Sequence, residues 1–285
     1  MNESRPLIDY SDPRPESKIG RVRTALIYLI EQHRNDGALP TSVRFLFYEL
    51  VMQRIVAKEG NRPDKIVSAA LTDLREDGLV PWDDIVDETR EVSDYTGSAT
   101  VAEDWLMYLD AACLDPWRGQ VPFILTESRS LAGVLRAQCR DYRCRIASTN
   151  GQVGGFLHTK VEPKLREGDP VGYLGDLDLA GGDIEANTSH VLESLVRELD
   201  WQRLALTREQ VEQYNLPIIT KTDKRFINSG GVHEAVETEA LSQTLIVNIV
   251  RTWLDGLLPQ PLETVLVRER REGARLRRLI EIARQ

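Results

Sequence analysis

Three acidic residues, Glu127, Asp176 and Asp178, have the types and the placing for chemistry on a charged substrate. Glu127 closes the apolar run Pro122–Thr126, and the two aspartates follow Val171–Gly175 within YLGDLDLAGG. Open parallel sheets bind ligands beyond the C-terminal ends of their strands. A spacing of two on extended backbone puts both Asp side chains on one side, and Gly175, Gly181 and Gly182 leave a ligand room beside them. Three carboxylates in one crevice repel one another unless a cation lies among them. Magnesium suits such a place, with manganese as its substitute, because it needs few protein carboxylates and completes its shell with water and phosphate oxygens. The competing reading is structural, with Asp176 and Asp178 forming a turn and capping a helix that begins near Gly182. Once Glu127 on the neighbouring strand is counted, the pattern leaves the two readings even. Asp183 and Glu185 fall at a helix start, where anions are favoured anyway, and read as structural.

A second constellation is Arg44-Phe45-Leu46-Phe47-Tyr48. Arg44 and Tyr48 are four apart and share a helix face, where a guanidinium holds a phosphate beside a phenol. A phenolate attacking a phosphodiester forms a phosphotyrosine link and conserves bond energy for resealing. The plainer reading is a half-buried packing tyrosine. Arg62 and Lys65, and Lys221, Lys224 and Arg225 in TKTDKRF, are candidate contacts to a DNA backbone, although solvated loop charges are the commoner explanation of such clusters. Ser128, Arg129 and Ser130 could bind phosphate at a helix start. His158, Glu234, Glu237 and Glu239 read as surface or helix-end residues, with Glu237 also able to stand behind the metal ligands.

The elements that must carry these residues divide the 285-residue chain into a helical front and an alternating back. A lead-in over 1–18 precedes apolar spacing at Val22, Ala25, Leu26, Leu29 and Ile30, one face of a helix over 19–33. A second helix opens after Pro40-Thr41-Ser42, and a third runs from Pro63-Asp64 to Gly78. The β-like stretch LVPWDDIVDETREV follows, so residues 19–95 read as a winged helix-turn-helix, with the third helix for recognition and Trp82–Arg90 as the wing. Residues 96–120 hold a connecting helix and linker. From 121 to 258 the rhythm is that of a parallel sheet: strands Pro122–Thr126, Arg145–Ser148, Val171–Gly175 and Arg203–Leu206, with helices Leu131–Tyr142, Gln152–Leu165 and Ile184–Leu199 between them. A helix from Glu239 ends this part, and 259–285 forms a locally basic C-terminal helix.

Composition narrows the classes. Thirty-six Lys and Arg against 45 Asp and Glu leave a net charge of −9, so a nucleic-acid site must be a local patch. Three scattered cysteines and four separated histidines support neither a disulfide framework nor a zinc centre. With no apolar leader and no run of spanning length, the chain reads as cytoplasmic, and as nucleoid-associated if it meets DNA.

Glu127, Asp176-x-Asp178 with Ala180-Gly181, and Arg44-x-x-Phe47-Tyr48 ahead of them together resemble the A subunit of topoisomerase VI and its meiotic relatives, over about residues 19–258. The resemblance implies a tyrosine-bearing winged helix joined to a Toprim domain, a four-stranded parallel α/β unit with C-terminal helices. It implies Tyr48 as nucleophile, Arg44 as its phosphate-holding neighbour and Glu127 as a catalytic acid. Glu127, Asp176 and Asp178 would be the ligands of Mg2+ or Mn2+, double-stranded DNA the substrate and a homodimer the working form. The chain departs from that pattern where Leu179 and Ala180 follow the second Asp and Phe47 replaces the first of two tyrosines. Its length is closer to the small stand-alone Toprim proteins of bacteria, phages and plasmid defence, which implies a separate ATPase or defence partner. It also leaves open metal-dependent hydrolysis without Tyr48, and a non-catalytic DNA-binding module.

Overall fold

The computed structural model describes residues 17–58, 64–86, 100–150, 154–222 and 232–283. Arg62, Lys224 and Arg225 lie outside the described residues, as do 87–90 of the expected wing. The front consists of α1 (Lys18–Asn35), α2 (Val43–Met52) and α3 (Lys65–Glu76). Ser17 and Ser42 cap the first two, their hydroxyls accepting from the N–H groups of Gly20 and Phe45. Leu26 and Ile30 of α1, Leu46 and Leu50 of α2, and Leu71 and Leu74 of α3 meet in one apolar core.

The wing is not β-like where it is described. Trp82–Asp84 forms a 3-10 turn, and Ile85 makes a single parallel bridge to Thr41. Side chains explain this. Arg75 stacks its guanidinium 4.0 Å from the Trp82 ring centroid and donates to the Trp82 carbonyl, while Arg34 pairs with Asp84. These contacts fold the segment onto α1 and α3 instead of releasing it as a ribbon.

After α4 (Val101–Ala111), opened by a Thr100–Glu103 capping box, the mixed α/β part follows. Its strands β1 (Phe123–Thr126), β2 (Arg145–Ser148), β3 (Pro170–Leu174) and β4 (Asp200–Ala205) form a parallel sheet in the order β2-β1-β3-β4. Alternating residues serve opposite faces. Ile124, Leu174 and Leu204 pack toward α5 (Arg129–Asp141) and α9 (Gln243–Leu257). Phe123, Leu125, Val171 and Tyr173 pack toward α7 (Leu179–Leu195) and the segment 154–164. That segment was expected as one helix. It is instead a short α6 (Gly154–Phe156) followed by π and 3-10 turns, with Pro163 in the last of them.

Other boundaries moved for identifiable reasons. The helix expected from Ile184 starts at Leu179, because Asp178 caps it. The helix expected from Glu239 starts at Gln243 behind the cap Ser242, and Thr238–Ala240 forms a 3-10 turn. Two features had no counterpart in the sequence reading: α8 (Arg208–Gln213), and a hairpin of β5 (Ile219–Thr222) and β6 (Val232–Ala235). The chain ends in α10 (Leu262–Ala283), which packs against α4. No described helix is long and apolar enough to cross a membrane.

Front and back share interior. Phe45 of α2 and Ala38 before it belong to the core beneath the sheet. Gln243, fully buried at the start of α9, donates to the carbonyls of Ala38 and Pro40 and accepts from the Thr41 hydroxyl, while its N–H donates to Glu49. Removing a buried amide that satisfies three partners strands all of them. Gln243→Ala should therefore cost about 3 kcal/mol, read as a lower urea midpoint; a loss below about 1 kcal/mol would show that this joint does not hold the halves together.

Candidate active site at the rim of the parallel sheet

The site begins with sheet register. β1 and β3 are neighbours, with Thr126 opposite Leu174, so the residues that follow leave the sheet side by side. The N–H of Glu127 donates to the Leu174 carbonyl, and Glu127 Oε2 accepts from the Asp176 N–H at 3.0 Å. Glycine is required twice for this approach. A Cβ on Gly175 would lie 2.8 Å from the Tyr173 hydroxyl and 3.0 Å from Glu127 Oε2, and one on Gly181 would lie 2.5 Å from the Asp176 carbonyl. Arg203 on β4 locks the same turn by donating to the carbonyls of Gly175 and Asp176, with its other side paired to Glu185.

A second wall arrives from far along the chain. Leu177 and Val236 form an antiparallel bridge that lays residues 236–239 over the aspartate turn. The N–H and hydroxyl of Thr238 both donate to Asp176 Oδ1. Glu239, 1% exposed, accepts from Ser128 at 2.9 Å and pairs with Arg44 at 3.1 Å. Glu237 lies 3.6 Å from Arg44, 3.9 Å from Lys58 and 3.8 Å from Lys221. The expectation that Glu239 is a surface residue is thus corrected, and Glu237 stands among the site's cations instead of at the surface. Their signal was present in the sequence, since Val236, Ala240 and Leu241 bracket them with apolar positions that must be buried. Lys58 and Arg203 carried no pattern that marked them.

The three expected acids separate into two kinds. Glu127 and Asp176 line one cavity of about 180 Å3 together with Arg44, Ser128, Asn150, Thr238 and Glu239. Asp178 stands off that wall: Oδ1 accepts from the Gly181 N–H to cap α7, and Oδ2 accepts from Lys221 Nζ at 2.7 Å. The capping reading is thus seen at Asp178, while Asp176 faces the cavity beside Glu127. Ser128, considered as a phosphate binder, caps α5. Lys65 is exposed at the start of α3, and Lys221 turns inward onto the acids.

Arg44 lines a second cavity as well, of about 460 Å3, with Val43, Phe47, Tyr48, Lys58 and Asp64. The Tyr48 ring is 6% exposed, edge-on to Phe47, with Lys58 Nζ 4.6 Å from its centroid. Arg44 and Tyr48 do share a helix face, and Lys58 bridges from the phenol ring toward Glu237.

Charge sets the chemistry. Among the described residues, the carboxylates of Glu127, Asp176, Asp178, Glu237 and Glu239 meet the cations of Arg44, Lys58 and Lys221, an excess of two negative charges. Burial, then the neighbouring Asp176, pushes the Glu127 carboxyl above its usual range. Burial does the same to Glu237 and Glu239 against the pull of Arg44. Burial also acts to raise Asp178, but the Lys221 ammonium and the Gly181 N–H hold it lower. Among the described residues no three His, Cys, Asp or Glu side chains form a ready metal cage. The donor set still suits a hard divalent ion bound by two carboxylates, Glu127 and Asp176, with water or phosphate completing the shell.

No family model, no curated protein and no solved structure matches this chain. The site must be read from its own geometry.

A raised carboxyl pKa weakens the folded state as pH climbs through the interval between the unfolded and folded values. Glu127→Gln keeps the acceptor for the Asp176 N–H and removes that penalty. The metal-free variant should exceed the parent in stability at pH 7 by up to about 1 kcal/mol, the modest size reflecting partial solvation. The advantage should vanish below the ordinary carboxylate range. Denaturant midpoints at pH 7 and pH 4 measure it, and an advantage that grows on acidification would contradict the assigned electrostatics.

Proposed function

We propose that the chain cleaves DNA strands in a magnesium-dependent reaction, as a topoisomerase VI A-subunit-like protein with a winged-helix front and a Toprim-like back. One observation carries this reading: Arg44 forms part of the wall of both the acid cavity and the tyrosine cavity. A phosphodiester held by its guanidinium would lie between the phenol of Tyr48 and the carboxylates of Glu127 and Asp176.

Each residue then has a task. Arg44, oriented by Glu239, binds the non-bridging phosphate oxygens. Glu127 and Asp176 would hold Mg2+ or Mn2+, which when bound lends charge to the phosphate and the departing oxygen. The Tyr48 oxygen gives up its proton and bonds to phosphorus as the phosphorus–deoxyribose oxygen bond breaks, and that oxygen takes up a proton. Lys58, whose ammonium is destabilised chiefly by burial and then by Lys221 and Arg44, stands beside the phenol ring during the transfer. Thr238 keeps Asp176 aimed. Double-stranded DNA as substrate, a homodimer cutting both strands, and a separate ATPase or defence-system partner belong to the same proposal.

A second reading is hydrolysis by water without Tyr48, favoured by the packing of the Tyr48 ring against Phe47 and beneath Lys58. Supercoiled plasmid incubated with protein and Mg2+ or Mn2+, then treated with SDS and protease, separates the two. Covalent cleavage gives protein-linked ends and at least about a hundredfold loss in Tyr48→Phe, because the attacking atom is gone. Hydrolysis gives free ends and near-parental cutting by that variant. Either mechanism requires Glu127→Gln and Asp176→Asn to lose about a hundredfold or more. Intact plasmid under every divalent metal, together with metal-independent DNA binding, would leave a non-catalytic binding module.

A further inference from the structure

Lys221 stands on β5 opposite His233 in the hairpin register. Its ammonium lies 2.7 Å from Asp178 Oδ2, 3.9 Å from Asp176 Oδ2 and 3.8 Å from Glu237 Oε1. The acids around it are largely enclosed, the Asp178 side chain 5% exposed, Asp176 15% and Glu237 14%. Three carboxylates drawn onto one positive centre is the arrangement a cation produces. Here the cation belongs to the chain.

That placement has an electrostatic consequence. Two positive charges drawn to one carboxylate repel each other, and a divalent ion doubles the charge on one side. A divalent ion held by Glu127 and Asp176 would share Asp176 with the ammonium. The aspartate cannot serve both at full strength. Asp178 gives its other oxygen to the Gly181 N–H, and Glu237 also faces Arg44 and Lys58. The hairpin is held at the aspartate turn by the Leu177–Val236 bridge and by the β5–β6 pairing, so Lys221 leaves the acids by swinging its flexible side chain.

We propose that Lys221 is a tethered counter-ion of the acid cluster, competing for Asp176 in the metal-free chain and drawing its side chain away when a divalent ion enters. The assignment rests on the reading of Glu127 and Asp176 as metal-holding residues. It makes Lys221 a reporter of metal occupancy and makes the metal affinity of the site a difference between two cations competing for Asp176.

Calorimetric titration of the full chain with Mn2+ alone tests this on the parent, Lys221→Met and Lys221→Arg, with thermal melting to establish that each variant folds. Lys221→Met should bind Mn2+ at least about tenfold tighter than the parent, the size of an ordinary coupling between charged groups. Lys221→Arg, which keeps the charge, should not gain. In the parent chain, amine acylation followed by mass spectrometry should label Lys221 several-fold faster once Mn2+ is added. That second measurement needs no variant. Equal or weaker binding by a folded Lys221→Met, or labelling unchanged by Mn2+ in a parent that binds it, overturns the role of Lys221 while leaving the metal reading intact. Uptake by Lys221→Met alone supports it. No uptake by either protein overturns both readings together.

Discussion

An excess of negative charge at one end of a parallel sheet is the constraint from which most of the molecule's features follow. Two adjacent strands deliver Glu127 and Asp176 to the same spot, and a returning segment adds Glu237 and Glu239. Enclosing carboxylates is costly unless each finds donors or positive charge. The chain answers with parts drawn from distant places: the Thr238 N–H and hydroxyl, the Ser128 hydroxyl, Arg44 from the helical front and Lys221 from the hairpin. The front helices and the hairpin therefore have an electrostatic reason to be where they are, beyond the apolar area they bury.

The sheet itself was legible because its strands are short apolar runs bounded by turn residues, and the alternation of strands and helices admits few topologies. Residues 145–148 were placed to the residue, and the neighbouring of the first and third strands followed from the type of sheet. The three front helices were legible for a similar reason: each carries an apolar stripe of helical period, and Ser42 marks where the second begins. The segment 79–86 was misread because Leu79, Val80, Ile85 and Val86 look like strand residues. Their fate was decided by Arg75 and Arg34, long side chains whose reach no local pattern encodes.

The site was legible by half. Glu127 and Asp176 announce themselves at strand ends, and Arg44 with Tyr48 by helical spacing. The split between Asp176 and Asp178 was not readable, because one residue's carboxylate goes to a helix N-terminus and a lysine that is 43 positions away. Glu239 could be read as buried from its apolar neighbours, but its pairing with Arg44 and Ser128 depends on residues 236–239 crossing the aspartate turn. Long-range pairing of this kind depends on where loops return, and that is set by the whole core.

The buried Gln243 amide has a further meaning. It stitches the connection between α1 and α2 to the first turn of α9, and Phe45 of α2 is sunk into the same interior as the underside of the sheet. No hinge can operate at that seam without breaking several hydrogen bonds and opening the common interior at once. Tyrosine and acids therefore travel as a rigid unit.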